Sequence, residues 1–283
     1  MSYISLKNVS YQYPYSKQFA LQDINLELKK GKFYGVIGQN GGGKTTLCNT
    51  IRGLIPHFYK GELSGEVLID GTDVRNWNTG ELSAKIGYVF QNPFTQISGI
   101  KETVFEEIAM GLENLGIEKN KIIESVISVS ELLSISDLLE KNPNQLSGGQ
   151  RQRVAFAAII AMDAEMLVID EPTSQLDPQG TEDVFAIIDK LKTSGKTIIL
   201  VEHKVSLIAR YCDQVIVMSD GKIALNGLAK AVLSDPRLEE FGATPPEVVH
   251  FGYAMQKAKK PLTEIPITVE EAVSLVEKRG KQS

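Results

Sequence analysis

Between Phe33 and Arg52 the chain reads FYGVIGQNGGGKTTLCNTIR. Phe33 to Ile37 is a short apolar run of the kind that forms a buried strand, and a helix begins near Lys44. Between them, Gly38-Gln39-Asn40-Gly41-Gly42-Gly43 with Lys44 and Thr45 fits G-x-x-x-x-G-K-[ST], a phosphate-binding loop. Glycines let backbone N–H groups turn inward around phosphate oxygens, and the positive end of the helix dipole points at the same anion. Lys44 supplies a point charge for β- and γ-phosphates, and the Thr45 hydroxyl is placed to hold Mg²⁺.

A second group of residues answers the first. Met166 to Ile169 is a fully apolar strand that ends in Asp170-Glu171. A carboxylate there is costly unless paired or metal-bound, so Mg²⁺ carried by ATP on Lys44 and Thr45 is its natural partner. Glu171, beside it, is the candidate to orient a water or accept its proton. Asn142 to Arg153, NPNQLSGGQRQR, places a glycine pair at a helix start, a further potential anion site. Tyr13, in the cluster Tyr11-Gln12-Tyr13-Pro14-Tyr15, either stacks on a nucleotide base or covers a sheet edge.

The elements that must position these residues follow from periodicity. Ile4 and Leu6, then Ile24, Leu26 and Leu28, alternate as half-buried strands do. Gly65 to Gly71 and Lys85 to Phe90 read as strands, the first ending in an Asp-Gly turn. From about Lys101 to Glu140 the pattern is helical, with Val104, Phe105 and Ile108 on one face. Beyond Asp170, helix and strand alternate through 181–191, 197–201 and 204–211, and Gln214–Met218 and Lys222–Leu225 flank a hairpin turn at Ser219-Asp220-Gly221. The alternation predicts an α/β fold with a parallel sheet covered on both faces. From about Phe241 the chain becomes proline-rich and carries two short helical patterns, at 247–257 and 269–278.

The bulk properties narrow the field. At 283 residues the chain is one large domain or one domain with an appendage. A formal charge of −5 without a basic block argues against a dedicated nucleic-acid binder. Cys48 and Cys212 read as packing residues rather than a disulfide or metal pair. The N-terminus lacks the apolar core of a signal peptide and no run is long and apolar enough to span a bilayer, so a cytoplasmic location is expected.

Taken in order, GQNGGGKTT (Gly38–Thr46), Gln91, LSGGQ (Leu146–Gln150), Asp170-Glu171, Ser174-Gln175-Leu176-Asp177 and His203 resemble the nucleotide-binding subunit of an ATP-binding cassette (ABC) transporter, over residues 1 to about 240. LSGGQ discriminates, since other phosphate-loop ATPases lack it. The resemblance implies a RecA-like phosphate-loop NTPase core with an N-terminal antiparallel β-subdomain, a helical insertion at about 92–160 and a small C-terminal extension, 241–283. It implies that Tyr13 stacks on adenine and that Gly38, Asn40, Gly41, Gly42, Gly43, Lys44, Thr45 and Thr46 hold the phosphates. Mg²⁺ would be held by Thr45, Gln91 and Asp170. Gln91 would touch that Mg²⁺ or the attacking water and relay motion to a membrane partner. Glu171, His203 and Lys44 would be catalytic. Ser147, Gly148, Gly149 and Gln150 would meet ATP on the other subunit of a head-to-tail dimer, with Asp177 at that interface. Gln39, Gly42 and Gln175 depart from the family's usual proline, serine and small residue, and none removes a group the chemistry needs.

Two stretches, residues 89–116 and the tail's Thr244–Val248 with Ile267–Glu271, are similar to the ATPases of energy-coupling factor (ECF) importers of vitamins and of their cobalt and nickel relatives. That resemblance implies a second ATPase subunit, identical or related, a transmembrane coupling protein, a substrate-binding membrane protein, no nucleic acid, and a place on the cytoplasmic face of the membrane. Glu102, Glu106 and Glu107 would then offer charge to arginines of the coupling protein, or form a solvated helix face. The rival is a non-transport ABC ATPase such as one serving iron–sulfur cluster assembly.

Overall fold

The alternating N-terminal residues pair as their pattern predicts. In the computed structural model, which describes residues 2–90, 95–174 and 176–280, β1 (Ile4–Gln12) lies antiparallel to β2 (Leu21–Leu28), with Ile4 opposite Leu28 and Leu6 opposite Leu26. Then come β3 (Phe33–Gly38), α1 (Lys44–Ile51) and a single turn, α2 (Leu54–His57). β4 (Glu62–Ile69) covers the other edge of β1, and the two-residue β5 (Thr72–Asp73) completes an antiparallel sheet of order β2-β1-β4-β5. β4 starts three residues before the predicted Gly65, because Glu62, Leu63 and Ser64 also pair with β1.

The second sheet carries the chemistry. After α3 (Thr79–Lys85) come β6 (Ile86–Val89), then three helices, α4 (Val104–Asn114), α5 (Lys119–Leu132) and α6 (Gly148–Ala161). β7 (Met166–Asp170), α7 (Pro178–Thr193), β8 (Thr197–Val201), α8 (Val205–Tyr211) and β9 (Gln214–Ser219) follow, and β10 (Lys222–Leu228) returns antiparallel to β9. The order is β10-β9-β3-β8-β7-β6, with β9, β3, β8, β7 and β6 all parallel. Among the described residues no strand interrupts the chain between β6 and β7, as the helical pattern there predicts.

A parallel sheet buried on both faces needs apolar residues at odd and even positions alike, which explains the continuous runs MLVI and TIILV. Along β3, Tyr34 and Val36 join the core shared with the antiparallel sheet, whereas Phe33 and Ile37 join the core beneath the helices. Cys48 and Cys212 are buried free thiols, one in each core, and burial pushes both thiol pKa values up.

After β10 comes α9 (Ala229–Leu233), and the tail forms α10 (Glu247–Lys257) and α11 (Val269–Gly280). Its Ala243, Val249 and Ile267 belong to the helix-side core, and Lys230 bridges Glu264 at 2.8 Å and Glu271 at 3.3 Å. Among the described residues no helix is long and apolar enough to cross a membrane.

Candidate functional site

The phosphate loop is built by its neighbours. At the end of β3, Gly38 has φ 133°, and a Cβ there would lie 2.0 Å from the Met218 carbonyl oxygen of adjacent β9. Only glycine fits so close an approach. The β9–β10 hairpin then ties the loop down: the Gly221 N–H donates to Gly42 O at 3.1 Å, and Gln39 Nε2 donates to Asp220 Oδ1 at 3.0 Å. Gln39, where the family usually has proline, therefore has a structural task. α1 starts behind Gly43 with no side-chain cap and no acidic residue in its first turn. Its N-terminal N–H groups thus face outward uncapped, the arrangement an anion requires.

Tyr13, Asn40, Gly41, Gly43, Lys44, Thr45 and Thr46 line one cleft of about 320 Å³, with Glu171 on its far wall. Gly38 and Gly42 shape the loop without facing the cleft. Lys44 is nearly buried, and its Nζ donates to the carbonyls of Gly38 at 2.9 Å and Gln39 at 3.0 Å. Burial pushes its pKa down, against the pull of Glu171 and Asp170. Tyr13 packs edge-on against Tyr11, with ring centroids 4.8 Å apart, and its hydroxyl lies 3.2 Å from Thr46 Oγ1. It packs just beyond the end of β1, a central strand of its sheet, and walls the cleft.

Asp170 closes β7 at 8% exposure, and burial is the main reason its pKa is raised. The Tyr88 hydroxyl donates to its Oδ2 at 2.6 Å, and the Arg52 guanidinium stacks 3.5 Å from the Tyr88 ring centre. Thr45 and Asp170 offer hard oxygen donors of the type Mg²⁺ takes alongside water and phosphate oxygens. A cation at Asp170 would relieve the buried charge that raises its pKa. Glu171 leaves the strand with φ 46°, and its N–H donates to Val201 O at 2.9 Å, the last rung between β7 and β8. His203 Nε2 sits 2.8 Å from Glu171 Oε1.

The remaining predicted residues lie elsewhere. Ser147 caps α6 in a capping box: its Oγ accepts the Gln150 N–H at 3.4 Å, and Gln150 Oε1 accepts the Ser147 N–H at 3.1 Å. A Cβ at Gly148 or Gly149 would meet nothing within 4 Å, so this helix start is open to the outside. None of Ser147, Gly148, Gly149 or Gln150 lines the cleft with Lys44. Asp177 is exposed and caps α7, its Oδ1 accepting the Gly180 N–H at 2.7 Å. Gln91 and Gln175 lie outside the described residues.

The acidic trio near α4 separates on inspection. Glu102 is exposed, and Glu106 completes a capping box with Thr103 while also accepting the Glu102 N–H. Glu107 is 3% exposed and accepts both the N–H and the hydroxyl of Ser98, at 2.6 and 2.7 Å. Its charge is spent inside the fold, which overturns its reading as a surface contact for a partner.

Three further residues, Tyr88, Gln152 and Glu202, brace the segments that carry Asp170, Glu171 and His203. In the sequence Tyr88 carries no signal beyond its place in a strand pattern. Gln152 of α6 donates to Pro172 O at 2.5 Å, joining that helix to the segment that carries Glu171. Glu202, 3% exposed, bonds to the segments on either side of the Glu171–His203 contact. It directly follows the apolar strand β8, much as Asp170 ends β7, so the same sequence signal marks both carboxylates.

Comparison with known proteins agrees with this geometry. The family model described as ABC transporter matches residues 21–174. A putative ABC transporter ATP-binding protein of Pyrococcus abyssi is 41% identical over 259 residues, 91% of this chain and 92% of the relative. The energy-coupling factor transporter ATP-binding protein EcfA2 of Acetivibrio thermocellus is 37% identical over 278 residues, 96% of this chain and 94% of the relative. CbiO1 of Clostridium perfringens, described as part of the ABC transporter complex CbiONQ, matches with a TM-score of 0.74 at 28% identity, over 90% of this chain and 99% of CbiO1. An ATP-binding cassette solved as a dimer in a post-hydrolysis state with ADP and Pi matches with a TM-score of 0.68 at 29% identity, over 80% of this chain and 98% of that one. This chain belongs to the ABC transporter family, as an ATP-binding subunit that hydrolyses ATP.

Proposed function

We propose that this chain is a motor subunit of an ECF-type importer for vitamins or other micronutrients. It works as a head-to-tail dimer with an identical or related ATPase, on the cytoplasmic face of the membrane, beneath a transmembrane coupling protein and a substrate-binding membrane protein. One observation supports the dimer: Lys44, Thr45 and Glu171 share one cleft, while the open helix start at Ser147–Gln150 takes no part in lining it. A complete site then needs the Ser147 helix of one subunit over the Lys44 cleft of the other. The similarity to EcfA2 over nearly the full chain, tail included, supports the ECF type.

In this reading Thr45 and Asp170 hold the Mg²⁺ that comes with ATP and neutralises developing phosphate charge. Lys44 leaves its two loop carbonyls for the β- and γ-phosphates. Tyr13 stacks on the adenine. Glu171 orients the attacking water and takes its proton, with His203 Nε2 fixing the carboxylate. Gly148 and Gly149 of the partner present backbone N–H groups to the γ-phosphate, and closure of the dimer pulls on the membrane protein.

The test is recovery of the tagged chain from detergent-solubilised native membranes, with its partners identified by mass spectrometry. A second ATPase, one shared membrane scaffold and several small membrane proteins are expected. One dedicated permease pair would overturn the ECF assignment, and an entirely soluble set of partners would overturn transport.

A further inference from the structure

The ladder between β7 and β8 ends where the Glu171 N–H meets Val201 O, and the two chains then part. One continues as Glu171-Pro172-Thr173 and the other as Glu202-His203-Lys204. A buried carboxylate spans the gap. Glu202 Oε2 accepts the Thr173 hydroxyl at 3.0 Å, and its Oε1 accepts the N–H groups of His203 at 3.1 Å and Lys204 at 3.2 Å. Thr173, its partner, is 1% exposed.

Burying a carboxylate is costly, and here three donors offset the cost in place of a cation. The Lys204 ammonium turns instead to Thr181 Oγ1 at 3.3 Å. An apolar residue after β8 would avoid the cost altogether, so packing does not account for a carboxylate at this position. What the carboxylate supplies is a fixed separation between two short loops, one carrying Glu171 and the other His203. Their 2.8 Å contact is the first thing to loosen if those loops drift.

The geometry assigns Glu202 as a positioning residue for ATP hydrolysis: with Thr173 as its counterpart, it clamps the Glu171 segment to the His203 segment and so sets the aim of the Glu171 carboxylate. This rests on the reading of Glu171 and His203 as the hydrolytic pair. Glu202 is buried and does not line the Lys44 cleft, so it acts only through its neighbours. A misplacement of about 1 Å at a reacting group costs on the order of 100-fold in rate, so a loosened clamp acts on kcat while the phosphate loop keeps its grip on ATP.

The experiment compares E202A, E202Q, T173V, the E202A/T173V pair and E171Q in the full chain assembled with its membrane partners, measuring kcat and KM for ATP and thermal stability. E202A should lose about tenfold or more in kcat with KM little changed. E202Q should recover most of the rate, because its amide oxygen accepts the two N–H groups while its nitrogen donates to a rotated Thr173 hydroxyl. T173V keeps the volume and removes one arm, so it should fall part of the way, and the double variant should fall no further than E202A. Parental kcat in E202A, or in T173V if E202A does not fold, overturns the clamp. So does an E202Q as slow as E202A. If E171Q hydrolyses at the parental rate, the hydrolytic reading fails; if E171Q is inactive while E202A and T173V are normal, the clamp alone fails.

Discussion

The Tyr88 hydroxyl donates a 2.6 Å hydrogen bond to Asp170 Oδ2, across 82 residues of sequence and between adjacent parallel strands. Burial raises the Asp170 pKa and the Tyr88 bond opposes the rise. Tyr88→Phe removes the opposing bond, so Asp170 holds its proton to higher pH. If Asp170 holds Mg²⁺ as proposed, the metal needs its carboxylate form, and the acid limb of the pH–rate profile should move to higher pH. In the nucleotide-free chain the sign for stability is also set. A folded-state pKa above the unfolded one means stability that is present at low pH and lost as pH rises through the folded pKa. Tyr88→Phe should carry that loss to higher pH, read by thermal unfolding as a function of pH.

Lys44→Ala removes the ammonium that the loop holds between Gly38 O and Gln39 O. A hydrogen bond to a charged group contributes about 1.5–3 kcal/mol, so ATP affinity should fall about tenfold or more, measured by calorimetry. An unchanged Kd would remove Lys44 from the phosphate site.

Two glycines should behave in opposite ways. Gly38→Ala sets a Cβ 2.0 Å from Met218 O at a φ of 133°, so the protein should lose stability, by at least the ~1–3 kcal/mol of a strained backbone position. Gly148→Ala meets nothing within 4 Å, so its melting temperature should match the parent's. Its ATP turnover should nevertheless fall about tenfold or more, because the added methyl would stand between the helix start and the partner's nucleotide. A fully active, normally stable Gly148→Ala would contradict the composite site.

Glu107→Ala strips two hydrogen bonds from Ser98 in a nearly closed environment. An unsatisfied buried donor costs ~1–3 kcal/mol, so the variant should melt earlier whether or not a membrane partner is present. Charge at exposed Glu102 has no such structural debt. Glu102→Lys should leave the melting temperature unchanged and report only on docking to the membrane protein.

Local patterns made much of this legible. Apolar runs ended by a carboxylate located β7 and Asp170, and Thr197–Val201 and Glu247–Lys257 match the observed elements residue for residue. The glycine spacing located the turn after β3, and the demand for glycine at Gly38 comes from the Met218 carbonyl of β9, 180 positions away. The residues that hold these groups in aim were harder to see. Tyr88 and Asp170 are 82 positions apart, and Thr173 and Glu202 are 29 apart, so only the parallel pairing of β6, β7 and β8 brings them together. Glu107 misled for the opposite reason. Its sequence neighbours suggest an exposed acidic face, but Ser98, on the loop before α4, folds over it.

In the proposed function Glu171 drives hydrolysis at a site shared between two subunits. The most direct measurement is phosphate release and ATP retention by the membrane complex purified through this chain, parental against Glu171→Gln. The amide keeps the size of the carboxylate and cannot take a proton from water, so the variant complex should bind ATP, keep it unhydrolysed on this chain and hold its dimer closed. Phosphate release at the parental rate, with ATP no longer retained than in the parent, would remove Glu171 from the hydrolytic role.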